Sequence, residues 1–379
     1  MISLNRPGLA TGIPVTTVGR LVADPCWGGF LVAEPRNLEG ARLRDPLRVA
    51  RDAHPDEGGA TGDPHVLVET LEDLEEGDIV ALHPSGRIDT LFRIASPNNG
   101  LFVTERCNSR CLMCSQPPRM VEDVDYFFAL NRTLIPLLPK SLPALGMTGG
   151  EPTLLGDYLV RLLELLAVEL PQTQIEILSN GRALSRPAIT QAIAAASTPR
   201  TLFTIPLYSD YGPQHDYIVQ ARDAFAQTVL GLHNLARFGV RSEIRVVLHR
   251  QSVPRLAALA RFIHKNLTFV EHVAFMGMEH TGYARIHDDL LWIDPPEYAT
   301  ELESAVEYLD SFGYAVSLYN LQHCLVTPAL WPYLRTSISD WKREYLPECE
   351  ACALRCECGG VFGTSKRQSQ LIHAIAREA

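Results

Sequence analysis

The chain has 379 residues with 46% hydrophobic and 21% charged residues. That composition describes a folded globular protein and excludes a disordered or collagen-like one. The formal charge of −10 argues against a nucleic-acid binder that relies on a broad basic surface.

In chain order, residues 1–96 read as a β-rich N-terminal domain, a small barrel or sandwich. Val66–Val68, Asp78–Leu82 and Thr90–Ile94 look like short strands, with Pro84-Ser85-Gly86 a turn. Asp52–Pro64 is a breaker-rich loop. From Leu101 short apolar runs alternate with helical patterns. The expected strands are Leu101–Thr104, Leu145–Thr148, Ile175–Leu178, Leu202–Leu207, Glu243–Leu248 and His272–Met276. Tyr158–Leu170, Ala224–Phe238 and Val253–Asn266 carry apolar residues at helical spacing between them. Six strand–helix units predict an α/β fold with a parallel sheet, and an open partial (β/α)6 barrel over 97–290. Residues 291–379 form a cysteine-rich extension. It opens on a helix at Glu297–Phe312, continues through the segment Ala315–Leu318 into the cysteine-bearing tail, and holds a helix at Ser337–Tyr345 with Trp341 inward.

The most apolar helical stretch, Leu154–Leu170, carries Asp157, Arg161, Glu164 and Glu169, so it reads as a core helix and not a membrane span. The N-terminus lacks a charged stretch followed by an apolar one, and the expected location is the cytoplasm. In a reducing compartment, clustered cysteines read as metal sites and not as disulfides. Cys26 stands alone and reads as a buried, inert residue.

Cys107, Cys111 and Cys114 form a C-x3-C-x2-C triplet directly after the first expected barrel strand. Structural zinc wants four closed ligands, whereas this loop offers three and leaves one position open. Soft thiolates suit an iron–sulfur cube with one iron free for another ligand. The carboxyl end of a barrel strand is also where active sites of β/α barrels gather.

This spacing resembles the signature of the radical S-adenosylmethionine (SAM) superfamily. The resemblance implies a [4Fe-4S] cluster whose free iron chelates SAM, with a 5′-deoxyadenosyl radical released on reduction. It assigns Met113 to a position beside the adenine. Gly149, Gly150 and Glu151, within Thr148-Gly-Gly-Glu-Pro152, match the motif that holds the SAM amino group; glycine suits a close backbone approach to a ligand. Ser179 and Asn180 end the third strand at a similar Asn-Gly. Thr204, Tyr208 and Ser209 compete for the ribose- and carboxylate-contacting site. Met278 and Glu279, in Met276-Gly-Met-Glu-His-Thr-Gly282, look like the sixth-strand motif that packs on the adenine. Arg245 points either inward at the SAM carboxylate or outward to solvent.

Cys349-x2-Cys352-x5-Cys358 resembles the SPASM and twitch extensions of radical SAM maturases, which hold auxiliary iron–sulfur clusters. By that resemblance Cys324 supplies a fourth ligand. The full two-cluster pattern needs more cysteines than the five here, so one auxiliary [4Fe-4S] cluster is expected, with Cys356 surplus or replacing one of the four. A four-cysteine zinc knuckle is the other reading.

Thr104-Glu-Arg-Cys107, Cys111-Leu-Met-Cys114-Ser-Gln-Pro-Pro118, Pro206-Leu-Tyr-Ser209, His215-Asp216, Tyr319-Asn-Leu321, Trp341-Lys342 and Cys358-Gly-Gly360 together resemble the His-Xaa-Ser system radical SAM maturases of the C type. That resemblance implies a precursor peptide with His-Xaa-Ser repeats, modified after translation by hydrogen abstraction. It also implies a second radical SAM maturase as partner and a reductase such as flavodoxin or ferredoxin. Two other readings stay open: a radical SAM enzyme acting on a small-molecule cofactor precursor or tRNA, and a non-catalytic iron–sulfur or zinc scaffold for a paired maturase.

Overall fold

A computed structural model of the chain describes residues 4–24, 28–43, 47–51 and 63–376. Cys26 and residues 52–62 of the Asp52–Pro64 loop lie outside the described residues.

The N-terminal strands are β1 (Asn5–Arg6), β2 (Gly8–Thr11), β3 (Thr17–Asp24), β4 (Gly29–Asn37), β5 (Leu47–Arg51), β6 (His65–Val68), β7 (Ile79–Leu82) and β8 (Ile88–Phe92). They form one sheet in the order β1-β8-β7-β3-β4-β5-β6-β2. Only Pro7, which has no N–H to give, separates β1 from β2. This one extended segment therefore pairs with β8 at one end and with β6 at the other, which closes the sheet into a small barrel. Period-two alternation explains why β7 is buried throughout. Val80 and Leu82 fill the small barrel, while Ile79 and Ala81 join the core of the following domain.

The main domain alternates strands and helices. The strands are β9 (Gly100–Phe102), β10 (Ala144–Thr148), β11 (Gln174–Leu178), β12 (Thr201–Pro206), β13 (Arg241–Leu248) and β14 (His272–Gly277). All pair in parallel with their sequence neighbours. The helices are α1 (Val124–Leu134), α2 (Asp157–Glu169), α3 (Pro187–Ala196), α4 (Gly212–Val219), α5 (Ala224–Arg237), α6 (Leu256–Asn266), α7 (Gly282–Ile286), α8 (Asp288–Leu291) and α9 (Ala299–Ser311). These make six β/α units in an open barrel. Two further parallel strands beyond residue 290, β15 (Ala315–Tyr319) and β16 (Leu334–Arg335), extend the sheet at its far edge.

Helices cover the outer face. Leu159, Leu162, Leu163 and Leu166 of α2 are buried at helical spacing and share one core with Ile175, Ile177, Phe203 and Ile205 of the strands. At about 25 cal/mol per Å² of apolar surface, each such leucine contributes on the order of 2 kcal/mol. Among the described residues no helix is long and apolar enough to cross a membrane.

The extension ends in a small hairpin of β17 (Arg343–Glu344) and β18 (Val361–Phe362). This replaces the helix expected at Ser337–Tyr345, of which only a 3-10 turn at Asp340–Lys342 forms. Two competing partners account for the change. Asp340 is held by Arg93 and by Ser96 at 2.6 Å, and Arg343–Glu344 is taken up by the hairpin ladder.

Candidate functional site

The triplet loop leaves the carboxyl end of β9 and is tied down on every side. Its own ends are pinched first. Thr104 Oγ1 donates to Asp123 at 2.7 Å and the Glu105 N–H at 2.6 Å, so the residue preceding α1 spends its carboxylate on the loop and not on its helix. From β10, the Gly150 N–H donates to the Thr104 carbonyl and the Glu151 N–H to the Arg106 carbonyl, both at 2.7 Å. Gly150 lies so close that a Cβ there would stand 1.9 Å from the Arg106 oxygen. From α4, the Val219 and Ile218 carbonyls accept from Arg110 and Leu112 at 3.1 and 2.9 Å. From α7, the Tyr283 N–H donates to the Cys114 carbonyl at 2.8 Å. Gly282, at φ +54°, lets the chain pass there, since a Cβ would be 2.5 Å from that same carbonyl.

The three thiols share one environment. Burial, then the Glu151 carboxylate, pushes the Cys107 thiol up to about 11. Burial raises Cys111 too, with Cys114 and Cys107 adding, and burial also raises Cys114. Thiols in this state ionise when a metal centre rewards the thiolate. Among the described residues no three His, Cys, Asp or Glu side chains converge on a single ion.

Glu151 is the joint of the site. It is 1% exposed. Its Oε1 accepts from Thr153 N at 3.0 Å, Thr153 Oγ1 at 2.6 Å and Ser179 Oγ at 2.7 Å, and its Oε2 accepts from the Asn180 N–H at 2.7 Å. Four donors from two loops thus satisfy one buried carboxyl group. It locks the β10 and β11 loops together, and Oε2 keeps capacity for one more donor. Asn180 then reaches the triplet loop: its Nδ2 donates to Asn108 Oδ1 at 2.6 Å and stands 3.8 Å from Cys107 Sγ.

The wall beside Cys111 is apolar. Leu112, Met113, Tyr208, Ile218 and Ala284 form one buried cluster, against which Cys111, Val247 and Met278 pack. The Tyr208 phenol is held well above its usual range, by burial first and then by Cys111 and Cys114. Its ring stacks on His215 at 5.8 Å, and its N–H donates to His215 Nδ1 at 3.3 Å. Ser209 is fully buried, and its Oγ accepts from the Tyr211 N–H at 3.1 Å. Thr204, also buried, bonds to the Ile177 carbonyl at 3.4 Å.

Two expected contact residues are occupied elsewhere. Glu279 turns to the extension, where Lys342 Nζ stands 2.8 Å from Oε2 and Thr364 Oγ1 donates to Oε1. Arg245 points into the barrel, the inward of its two expected directions, and its guanidinium lies between Glu243 and Glu176.

Residues that sequence reasoning did not single out complete the loop's support. Arg182 donates to the Asn108 carbonyl and to Ser109 Oγ at 3.1 Å, and His287 Nδ1 lies 2.9 Å from the Leu112 carbonyl. Arg182 was within reach, since it directly follows the Ser179-Asn180-Gly181 turn. His287 carries no local signal.

A second site lies in the extension. Cys324, Cys349, Cys352 and Cys358 line one pocket, with Tyr345, Arg355 and His373 among its other walls. Cys356 is exposed and outside that lining. Burial raises the Cys324 and Cys349 thiols, and Cys358 adds to both. Four thiols around one pocket are a donor set for either a cluster or a zinc ion.

No family model matches the chain. No curated protein matches it either. Solved structures are similar to parts of the chain. SuiB of Streptococcus suis bound to S-adenosylmethionine is 17% identical over 59% of this chain and 50% of that one, with a TM-score of 0.47. Native anSMEcpe with bound AdoMet is 14% identical over 58% of this chain and 62% of that one (TM-score 0.42). A radical SAM methyltransferase from Sphaerobacter thermophilus is 13% identical over 84% and 79% (TM-score 0.43). The match thus spans about half the length of SuiB.

Proposed function

We propose that this chain is a radical SAM enzyme that modifies a ribosomally made precursor peptide, of the His-Xaa-Ser repeat type, by hydrogen abstraction. One observation carries the reading: the C-x3-C-x2-C loop, the Gly-Gly-Glu-Pro turn, the Ser-Asn-Gly turn and the Met113–Tyr208–Met278 wall meet at the carboxyl rim of one open parallel barrel. Cys107, Cys111 and Cys114 would hold a [4Fe-4S] cluster. Gly149, Gly150 and Glu151 border the place for the SAM amino group, Met113 and Met278 the place for its adenine. A cluster bound there would supply the one-electron reduction of SAM, giving methionine and a 5′-deoxyadenosyl radical for hydrogen abstraction from the substrate.

The chain's own residues have three tasks. Gly150 and Gly282 let two backbone segments clamp the cysteine loop. Glu151 and Asn180 fix the polar edge. The buried Tyr208 wall keeps water from the reacting centre. The peptide assignment rests on the run of motifs shared with the C-type maturases, and a paired maturase and a flavodoxin- or ferredoxin-type reductase belong to the same reading. Cys324, Cys349, Cys352 and Cys358 of the extension would hold one auxiliary [4Fe-4S] cluster, with Cys356 outside the set. Zinc is the second reading of that pocket, on the number of its thiols.

Anaerobically reconstituted protein, given SAM, dithionite and a candidate peptide, is expected to release 5′-deoxyadenosine and change the peptide's mass. Full turnover by Cys107→Ala would refute the assignment. With Cys107, Cys111 and Cys114 changed to Ala, remaining iron and sulfide should vanish on adding Cys324→Ala and survive Cys356→Ala. Zinc without sulfide would replace the auxiliary cluster by a zinc knuckle.

A further inference from the structure

The inner face of the barrel carries a charged network that the proposed chemistry does not use. Alternation along the strands puts Ile177, Ile205, Ile244, Val246, Phe275 and Leu318 on the helix-covered face. Glu176, Glu243, Arg245, His272, Ser317 and Tyr319 therefore point the other way. Their contacts agree. Arg245 of β13 is 3.7 Å from Glu176 of β11 and 5.9 Å from the Tyr319 ring of β15, each time across an intervening strand. Contacts of this reach place all of these groups on the one inner face.

The groups differ in how far they are satisfied. Glu243 is nearly buried and receives both Arg245 Nε and His272 Nδ1, the latter at 3.0 Å. His272 Nε2 is 2.9 Å from Ser317 Oγ. Glu176 is the open member: its side chain is 31% exposed and, among the described residues, holds only the longer Arg245 contact and the Gln174 amide at 2.8 Å. Two carboxylates thus face one fixed cation, with an aromatic ring beside them. Carboxylate plus aromatic face is the chemistry that binds an organic cation. Arg245 is already matched on both sides and has no charge to spare for an anion.

Depth adds a size criterion. Glu176 lies three residues below Ser179, the rim residue bonded to Glu151, which at about 3.3 Å per residue is roughly 10 Å. A peptide main chain at the mouth reaches that depth through a long side chain. We propose that Glu176, with the Tyr319 ring, forms a recognition subsite for a basic side chain of the substrate, lysine or arginine in type. This rests on the peptide reading above and names its substrate class.

The test uses the reconstituted full chain and three peptides, acetyl-Gly-Gly-Xaa-Gly-Gly-amide with Xaa lysine, glutamine or glutamate, titrated calorimetrically with SAM present. The lysine peptide should bind about tenfold tighter than the glutamine peptide, the worth of one charge-assisted and one cation–π contact, and the glutamate peptide weakest. Glu176→Gln should erase the lysine preference, Glu176→Asp should restore part of it, and both should leave SAM binding unchanged. Equal affinities, no binding by any of the three, tightest binding by glutamate, or a lysine preference that survives Glu176→Gln would each overturn the subsite. Absence of SAM cleavage alongside an intact, Glu176-dependent lysine preference would instead remove the radical SAM reading and leave the subsite standing.

Discussion

Replacing Gly150 by alanine tests whether the clamp on the cysteine loop matters for its chemistry. The new Cβ would stand 1.9 Å from the Arg106 oxygen and 2.4 Å from its carbonyl carbon. Both are backbone atoms, so no side chain can swing away, and the loop must retreat by about 1 Å or more to reach an ordinary contact. Two hydrogen bonds of 2.7 Å bracket that contact, from Gly150 N to the Thr104 carbonyl and from Glu151 N to the Arg106 carbonyl. Losing both costs about 1–3 kcal/mol at roughly 0.5–1.5 each. Gly239→Ala is the matched control. It is strained by φ +72° but meets open space, so it costs about 1–2 kcal/mol without touching the site. Denaturant midpoints should fall in both variants. Only Gly150→Ala should also lose most of the iron reconstituted at the triplet, read by the low-temperature EPR signal of a protein lacking Cys324. Wild-type stability and signal in Gly150→Ala would show that the loop does not depend on this close approach.

Other outcomes follow from the same contacts. Glu151→Ala leaves the buried Ser179 and Thr153 hydroxyls and the Asn180 N–H without their acceptor. It should destabilise the protein by about 3–5 kcal/mol, with Glu151→Gln clearly milder; equal urea midpoints for the two would contradict this. Glu279→Gln, or Lys342→Met, weakens the clasp between β14's loop and the extension, which also includes the Ser365 hydroxyl accepting from the His280 N–H at 3.0 Å. The expected cost is about 1–2 kcal/mol, with earlier proteolytic cleavage between residues 345 and 376; an unchanged cleavage pattern would count against the clasp. The pH dependence has a definite sign. Burial lowers His215 to about 4 and His249 to about 3, from 6.5. The unfolded chain then binds more protons than the folded one between those values, so stability is full above about 6.5 and is lost as pH falls through the window down to about 3–4. Together the two histidines contribute on the order of several kcal/mol, at about 1.4 kcal/mol for each tenfold loss of proton affinity on folding. Replacing both residues by Gln should flatten the slope of stability between pH 6.5 and 4, and a slope as steep as wild type would refute the assignment.

Much of the architecture was legible in the one-dimensional pattern. Six apolar runs at strand length became β9 to β14, and helical spacing identified α2, α5, α6 and α9, because burial of one face leaves a period that needs no partner to be seen. Thiol spacing likewise marked both cysteine sites, since ligands on one short loop reach a shared centre whatever surrounds them. Tertiary contacts decided the rest. Sequence reading treated Ala315–Leu318 as part of the extension, but hydrogen bonding to β14 made it a sheet strand. The helix expected at Ser337–Tyr345 gave way to Arg93, Ser96 and β18. Glu279 left the expected adenine site for Lys342 and Thr364, 63 and 85 residues further on. Arg245's direction, ambiguous in a strand, was set by two carboxylates on other parts of the inner face. A local pattern records which residues seek burial; a polar side chain's partner is chosen by whatever the fold brings within about 3 Å of it.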